Sequence, residues 1–158
     1  MSRTPHWHEQ VVTPALLRHA RTIYGTAMRR ALGNAGYHDI PKNGLYLIGG
    51  MALHERGVPL GELVRELRVS KQAASQLVDA LVAGGYLQRA ADENDRRKLV
   101  VTLTRRGRAA AAVQAKAREQ VDAELLARVG ARAVSTTRRT LAALIDLGQP
   151  GESGHRHD

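Results

Sequence analysis

Two groups of polar side chains in this chain could make directed contacts with a polyanion. The first is Asp95, Arg96, Arg97 and Lys98, within the stretch DENDRRKLVVTLTRRG at residues 92–107. An aspartate just before two arginines, at the tip of a tight turn, can accept hydrogen bonds from a guanidinium or from the turn backbone and so fix a side chain near it. An arginine held that way is ready to enter the narrow, electronegative minor groove of duplex DNA, where Arg is favoured over Lys. Arg96 and Lys98 are then left to meet flanking phosphates. A solvated charge run on a β-turn has the same composition, so the turn alone does not decide. The second group is Ser70, Lys71, Gln72, Ser75 and Gln76. Glutamine donates and accepts, matching two groups on an adenine edge, and lysine reaches guanine or phosphate. Ser70 precedes a helix whose free N-terminal N–H groups suit a phosphate. Singly, each of these residues fits an ordinary polar helix face; as a set on one helix they point to the major groove.

The elements around them must supply that helix and that turn. In PLGELVRELRVSKQAASQLVDALVAGGYL (residues 59–87), Leu60, Leu63, Val64 and Leu67 form one face of a short helix after Pro59. Arg68 and Val69 make a turn, and Ser70 caps a second helix with Ala74, Leu77, Val78 and Leu81 on its buried stripe, ended by Gly84 and Gly85. YLQRA and KLVVTL are short strands that make the charged segment a hairpin tip. Upstream, residues 13–34 carry apolar side chains at helical spacing, with Thr13 as cap, Pro14 in the first turn and Gly33 at the stop. Residues 43–55 also read as a helix, weakened by Gly44, Gly49 and Gly50. Downstream, a helix from Thr104 keeps Val113, Ala117, Val121 and Leu125 on one stripe, and a last helix after Gly130 carries Val134, Leu141, Leu144 and Ile145.

The expected fold is mainly α with a small β-wing: a winged helix-turn-helix core flanked by N- and C-terminal dimerisation helices. Residues 1–12 are an N-terminal arm, 13–40 a dimerisation helix and loop, 41–103 the DNA-binding domain, 104–147 the C-terminal dimerisation helices and 148–158 a disordered polar tail. The flanking helices have apolar faces that the compact middle cannot cover, so they are expected to interleave with those of a second copy.

Composition sets outer bounds. Twenty-four Lys and Arg against fifteen Asp and Glu leave a net charge of +9, which draws polyanions. The absence of cysteine excludes disulfides, thiolate metal sites and thiol nucleophiles within this chain and fits a cytoplasmic location. The longest nearly apolar run, GLYLIGGMAL at residues 44–53, is too short for a membrane span, so no membrane partner is expected. No nucleophile-elbow, phosphate-loop or dinucleotide motif is present, and the reading is not an enzyme, with no cofactor. Seven histidines, among them His6, His8, His155 and His157, lack metal-ligand spacing. No metal site is expected, although a metal-responsive protein stays an alternative because dispersed histidines can converge in space. A non-specific architectural DNA binder is the other alternative; scarce aromatics argue against single-strand stacking platforms.

GYLQRAADENDRRKLVVTLTRRGRAA (residues 85–110) resembles the wing signature of the MarR family of winged helix-turn-helix transcriptional regulators, and residues 59–87 are similar to that family's helix-turn-helix. The plan of one helix before and two long helices after agrees with the family from about residue 13 to 147. The resemblance implies a homodimer on a pseudo-palindromic double-stranded DNA operator, usually a repressor and sometimes an activator, released by a small-molecule effector, often an anionic aromatic compound. Arg97 would be the wing arginine and Asp95 its anchor. Gln72, Ser75 and Gln76 would face bases, Ser70 and Lys71 the backbone, and Lys42 and Asn43 further phosphates. Gln76 stands where many relatives carry Arg, which leaves the operator sequence open. The family's ligand cleft, between dimer helices and winged helix, could be lined here by Arg21, Tyr24, Tyr37, His38 and Met51.

Overall fold

The computed structural model describes residues 6–54, 56–67 and 69–148. Within them the order is a short 3-10 turn at Trp7–Gln10, α1 (Thr13–Asn34), α2 (Gly44–Met51), β1 (Val58–Pro59), α3 (Leu60–Leu67), α4 (Lys71–Ala83), β2 (Leu87–Ala91), β3 (Leu99–Leu103), α5 (Arg105–Val129) and α6 (Ala131–Asp146). The mainly helical class with a small antiparallel wing is borne out. Two compact units, residues 1–119 and 120–158, divide inside α5. No helix among the described residues is long and apolar enough to cross a membrane.

In the first unit, α1 begins one residue earlier than a Thr13 cap would place it. Val12 is the extended cap residue, no side chain bonds the free N–H groups, and Pro14 occupies the first turn, where its missing N–H costs nothing. The helix runs past Gly33 to Asn34. The left-handed residue that ends it is Gly36, at φ 87°, which lets the Tyr37 N–H reach the Leu32 carbonyl at 2.9 Å. Only Gly25, Met28 and Leu32 of α1 are buried, while Ile23 stays 61% exposed. The α2 helix is shorter than the expected 43–55, because Leu53 and His54 donate to Gly50 and Met51 in tight turns at 3.1 and 3.0 Å.

Helices α3 and α4 form the helix-turn-helix, and the turn's Arg68 lies outside the described residues. The Ser70 hydroxyl accepts from the Ala73 N–H at 3.1 Å, the N-cap the residue type favours. Ala74, Val78 and Leu81 are buried, and Gly85, at φ 75°, ends the helix as the Tyr86 N–H reaches the Leu81 carbonyl. Strands β2 and β3 pair antiparallel from Leu87 opposite Leu103 to Ala91 opposite Leu99. A third strand completes the sheet in the order β1-β3-β2, with Val58 opposite Val101. Sequence pattern missed it: two residues show no alternation, and Pro59, lacking an N–H, is tolerated only at a sheet edge.

The core gathers where α2, α4, the sheet and α5 meet; Ile48, Val78, Leu81, Tyr86 and Val101 are fully buried. The LTRRG segment joins wing to α5. The Thr104 hydroxyl donates to the Gly85 carbonyl at 2.5 Å and accepts from the Gly107 N–H at 3.0 Å, so it caps α5 and ties it to the root of β2.

The second unit holds the end of α5 and all of α6, turned by Gly130 at φ 82°. A hollow of about 580 Å³ is lined by Leu126, Val134 and two alanines together with Ser135, Arg139, Asp122 and Arg138, the last two 4.0 Å apart. No α6 residue is buried; Leu144 and Ile145 are 46% and 64% exposed. Arm residues 1–5, Gln149–Asp158 of the expected tail, and with them His155 and His157, lie outside the described residues.

Candidate nucleic-acid interface

The wing turn resolves the charge order of residues 92–98. The Asp92 carboxylate accepts from the backbone N–H groups of Asn94 at 2.7 Å and Asp95 at 3.2 Å. The Asp95 carboxylate accepts from the Arg97 N–H at 3.1 Å. The Lys98 N–H closes the turn on the Asp95 carbonyl, and the Asp92 N–H donates to the Lys98 carbonyl. Two acids thus hold backbone, as short polar side chains do in turns. Of the two partners the sequence left open to Asp95, the structure gives it the backbone. Arg96, Arg97 and Lys98 are exposed, and none enters an ion pair among the described residues.

On α4, Lys71, Gln72 and Gln76 are exposed and Ser75 is half-buried. Ser70 is exposed; with its oxygen accepting the Ala73 N–H, its hydroxyl hydrogen stays free to donate. Lys42 and Asn43 precede α2 and are exposed, and Asn43 makes no side-chain cap bond.

Sequence reasoning missed a link between these parts. Arg89 of β2 donates to the Asp79 carboxylate of α4, an ion pair with side chains 33% and 63% exposed that ties wing to helix. Its signal was the lone arginine in YLQRA, part of the signature but without a role. A second cluster was also missed. The Tyr86 hydroxyl donates to Asp39, and the Arg106 guanidinium donates to Asp39 at 3.1 Å and to the Tyr86 oxygen at 2.9 Å. Arg106 also lies over the Tyr86 ring, 4.7 Å from its centroid. The Tyr86 hydrogen bond, aided by the Arg106 charge, holds the Asp39 carboxyl below its ordinary value. Burial, then Asp39, pushes the Tyr86 phenol above its own.

Within one copy, the five residues considered for an effector fall in different places. Tyr37 and His38 line a cleft with Arg29 and Lys42. Arg21 and Met51 line another, where the Arg21 guanidinium stacks 4.2 Å over the Tyr46 ring. Tyr24 lines neither and packs half-buried against the core. Among the described residues no three His, Asp or Glu side chains come together as a metal site.

A capped second helix with a polar exposed face, followed by a charged hairpin and backed by a third strand, defines a winged helix-turn-helix protein. Residues 45–98 match the model of the MarR family, and the fold is that of MarR-family transcriptional regulators. The transcriptional regulator Tm0710 from Thermotoga maritima is 26% identical over 85% of this chain and 92% of its own, with a TM-score of 0.55. The reduced form of MarR from E. coli is 21% identical, covering 85% and 96%, with a TM-score of 0.65. RV1404 from Mycobacterium tuberculosis is 21% identical, covering 96% and 100%, with a TM-score of 0.66. No curated protein matches the sequence. The resemblance read from the wing signature is borne out.

Proposed function

We propose that this chain is a MarR-type, sequence-specific DNA-binding regulator that represses from a pseudo-palindromic operator as a homodimer and is released by a small molecule. The observation that carries this reading is the wing turn: Asp92 and Asp95 hold backbone while Arg96, Arg97 and Lys98 stay exposed beside a polar α4 face. In this reading Arg97 enters the minor groove, and Arg96 and Lys98 meet phosphates. Gln72, Ser75 and Gln76 face base edges in the major groove, with Ser70, Lys71, Lys42 and Asn43 on the backbone. The Arg89–Asp79 pair keeps the two reading elements in register.

Dimerisation is supported by the apolar side chains that one copy leaves exposed, Leu125, Leu126 and Val129 on α5 and Leu144 and Ile145 on α6. Two α4 helices in such a dimer would read half-sites ~34 Å apart, one helical turn of DNA. Release by a small molecule is supported by the S. aureus relative MepR, solved bound to ethidium bromide.

The test is titration on duplex from the region upstream of the chain's own gene against random duplex at one fixed salt. A specificity ratio of ~10³ or more is expected for an operator-specific regulator. A ratio near one would instead identify an architectural binder.

A further inference from the structure

The exposed face of α4 carries a carboxylate among its amides. Gln72, Gln76 and Asp79 follow one another at spacings of four and three, so they share one stripe of the helix, and all three are exposed. Asp79 is the only acid on α4, Lys71 the only base, and the helix has no arginine. A free carboxylate on a face turned to the major groove accepts from the N4 amino group of cytosine and repels the phosphates on either side. Asp79 is not free. Arg89, in the middle of β2, donates to it, the arginine and aspartate side chains being 33% and 63% exposed. An ion pair this exposed adds little to stability, so its effect on the stripe counts for more than its strength.

Each base edge asks for different chemistry. Guanine suits Arg or Lys, cytosine a free acid, adenine Gln or Asn, and thymine an apolar contact with its methyl. With Asp79 occupied and no arginine present, the stripe offers two amides. Ala73 and Ala80, exposed three residues before and four after Gln76, add methyl groups beside them. Gln72 and Gln76 lie ~6 Å apart along the helix, and bases ~3.4 Å apart along a strand, so the two amides fall on base pairs one or two steps apart. The wing favours the same pairs, since an arginine enters the minor groove most readily where A·T runs narrow it. We propose that Arg89 sets the composition of the operator by occupying Asp79, which removes cytosine from what α4 selects and leaves a half-site core of A·T pairs read by Gln72 and Gln76. The inference rests on the regulator reading. Arg89 is a positioning residue in it, acting on base choice through Asp79.

The experiment selects duplexes bound by the full chain from a randomised library at one fixed salt and reads the enriched motif. For the parent, the positions that Gln72→Ala and Gln76→Ala relax should be A·T pairs. Adenine replaced there by 7-deazaadenine, which lacks the N7 acceptor, should weaken binding ~10-fold. Arg89→Ala should bind every duplex more weakly and prefer cytosine by ~10-fold at one further position of the half-site. Adding Asp79→Ala to it should restore the parent's motif, and Asp79→Ala alone or Arg89→Lys, which still pairs, should keep that motif. Thermal melting shows which variants are folded, and the last two decide the matter if Arg89→Ala is not. Guanine or cytosine contacted by Gln72 and Gln76, an Arg89→Ala motif identical to the parent's, a motif lost in Asp79→Ala, or a double variant as altered as Arg89→Ala would overturn the proposal. The last is the result of a pair that only braces wing against helix. A parent that enriches no motif at all fails differently, because it removes the regulator reading itself.

Discussion

The Asp95 carboxylate accepts a hydrogen bond from the backbone N–H of Arg97, at 3.1 Å, and leaves that arginine's guanidinium free of any ion pair among the described residues. The acid therefore aims the arginine by shaping the turn. Arg97→Ala should weaken operator binding ~10-fold or more, the equivalent of ~1.4 kcal/mol. Asp95→Ala should lose less, because the guanidinium remains but its turn loosens. Asp95→Asn should stay near the parent, since an amide oxygen still accepts. Anisotropy titration at fixed salt reads all three, and an Arg97→Ala protein that binds like the parent would remove the wing from the interface.

Gly107 meets the backbone of Tyr86 so closely that a Cβ added there would lie 2.0 Å from the Tyr86 carbonyl oxygen. That carbonyl also accepts from the Thr104 N–H at 3.0 Å, so it cannot move without breaking the junction of wing and α5. Gly107→Ala should destabilise the protein at or above the ~1–3 kcal/mol typical of overpacking. Urea unfolding checks this, and an unchanged midpoint would contradict it. The helix propensity of alanine, better than glycine by ~1 kcal/mol, works in the opposite direction and is too small to win.

Two opposed pH effects follow from the Asp39, Tyr86 and Arg106 cluster. Asp39 is held below 3.8 by the Tyr86 hydrogen bond and then by Arg106. A depressed acid contributes stability above its unfolded value and loses it as pH falls through the folded one. Asp39→Asn should therefore narrow its stability gap to the parent as pH drops from about 5 to below 3.8. Tyr86 is raised above 10.0, first by burial and then by Asp39. Its contribution is complete below 10.0 and fades as pH climbs past the folded value, so Tyr86→Phe should flatten the alkaline limb. Urea midpoints across a pH series measure both, and parallel curves for parent and variants would refute the cluster's role.

Much of this architecture is legible in the sequence because its signals are local. Ser70 before a helical stripe, paired glycines at 84 and 85, and alternation around a charged turn each act within a few residues. The LTRRG segment is legible as a signature, but its reason is long-range: Gly107 is needed by the carbonyl of Tyr86, which no local pattern reveals. The Arg89–Asp79 and Asp39–Tyr86–Arg106 contacts stayed hidden for the same cause, since charged side chains many residues apart give no periodic signal. β1 was too short to alternate. The residues named for an effector came from the family's cleft and from their chemistry, and neither says which of them share a cleft within one copy.

The division of labour between wing and α4 gives a last prediction, in which two kinds of loss separate. Arg96 and Lys98 are exposed cations on a turn, and neutralising a phosphate carries no sequence information. Arg96→Gln or Lys98→Gln should weaken operator and random duplex alike, lowering the slope of log K against log salt by ~1 for each phosphate left without its cation. Gln72 and Gln76 are uncharged, so their alanine variants should leave that slope unchanged. Each should lose ~1–3 kcal/mol on the operator while random duplex is bound as before. Titrations of all four variants at three salt concentrations distinguish the outcomes. A salt slope that moves with Gln72→Ala, or a specificity ratio that falls with Lys98→Gln, would mean that the roles assigned to helix and wing are exchanged.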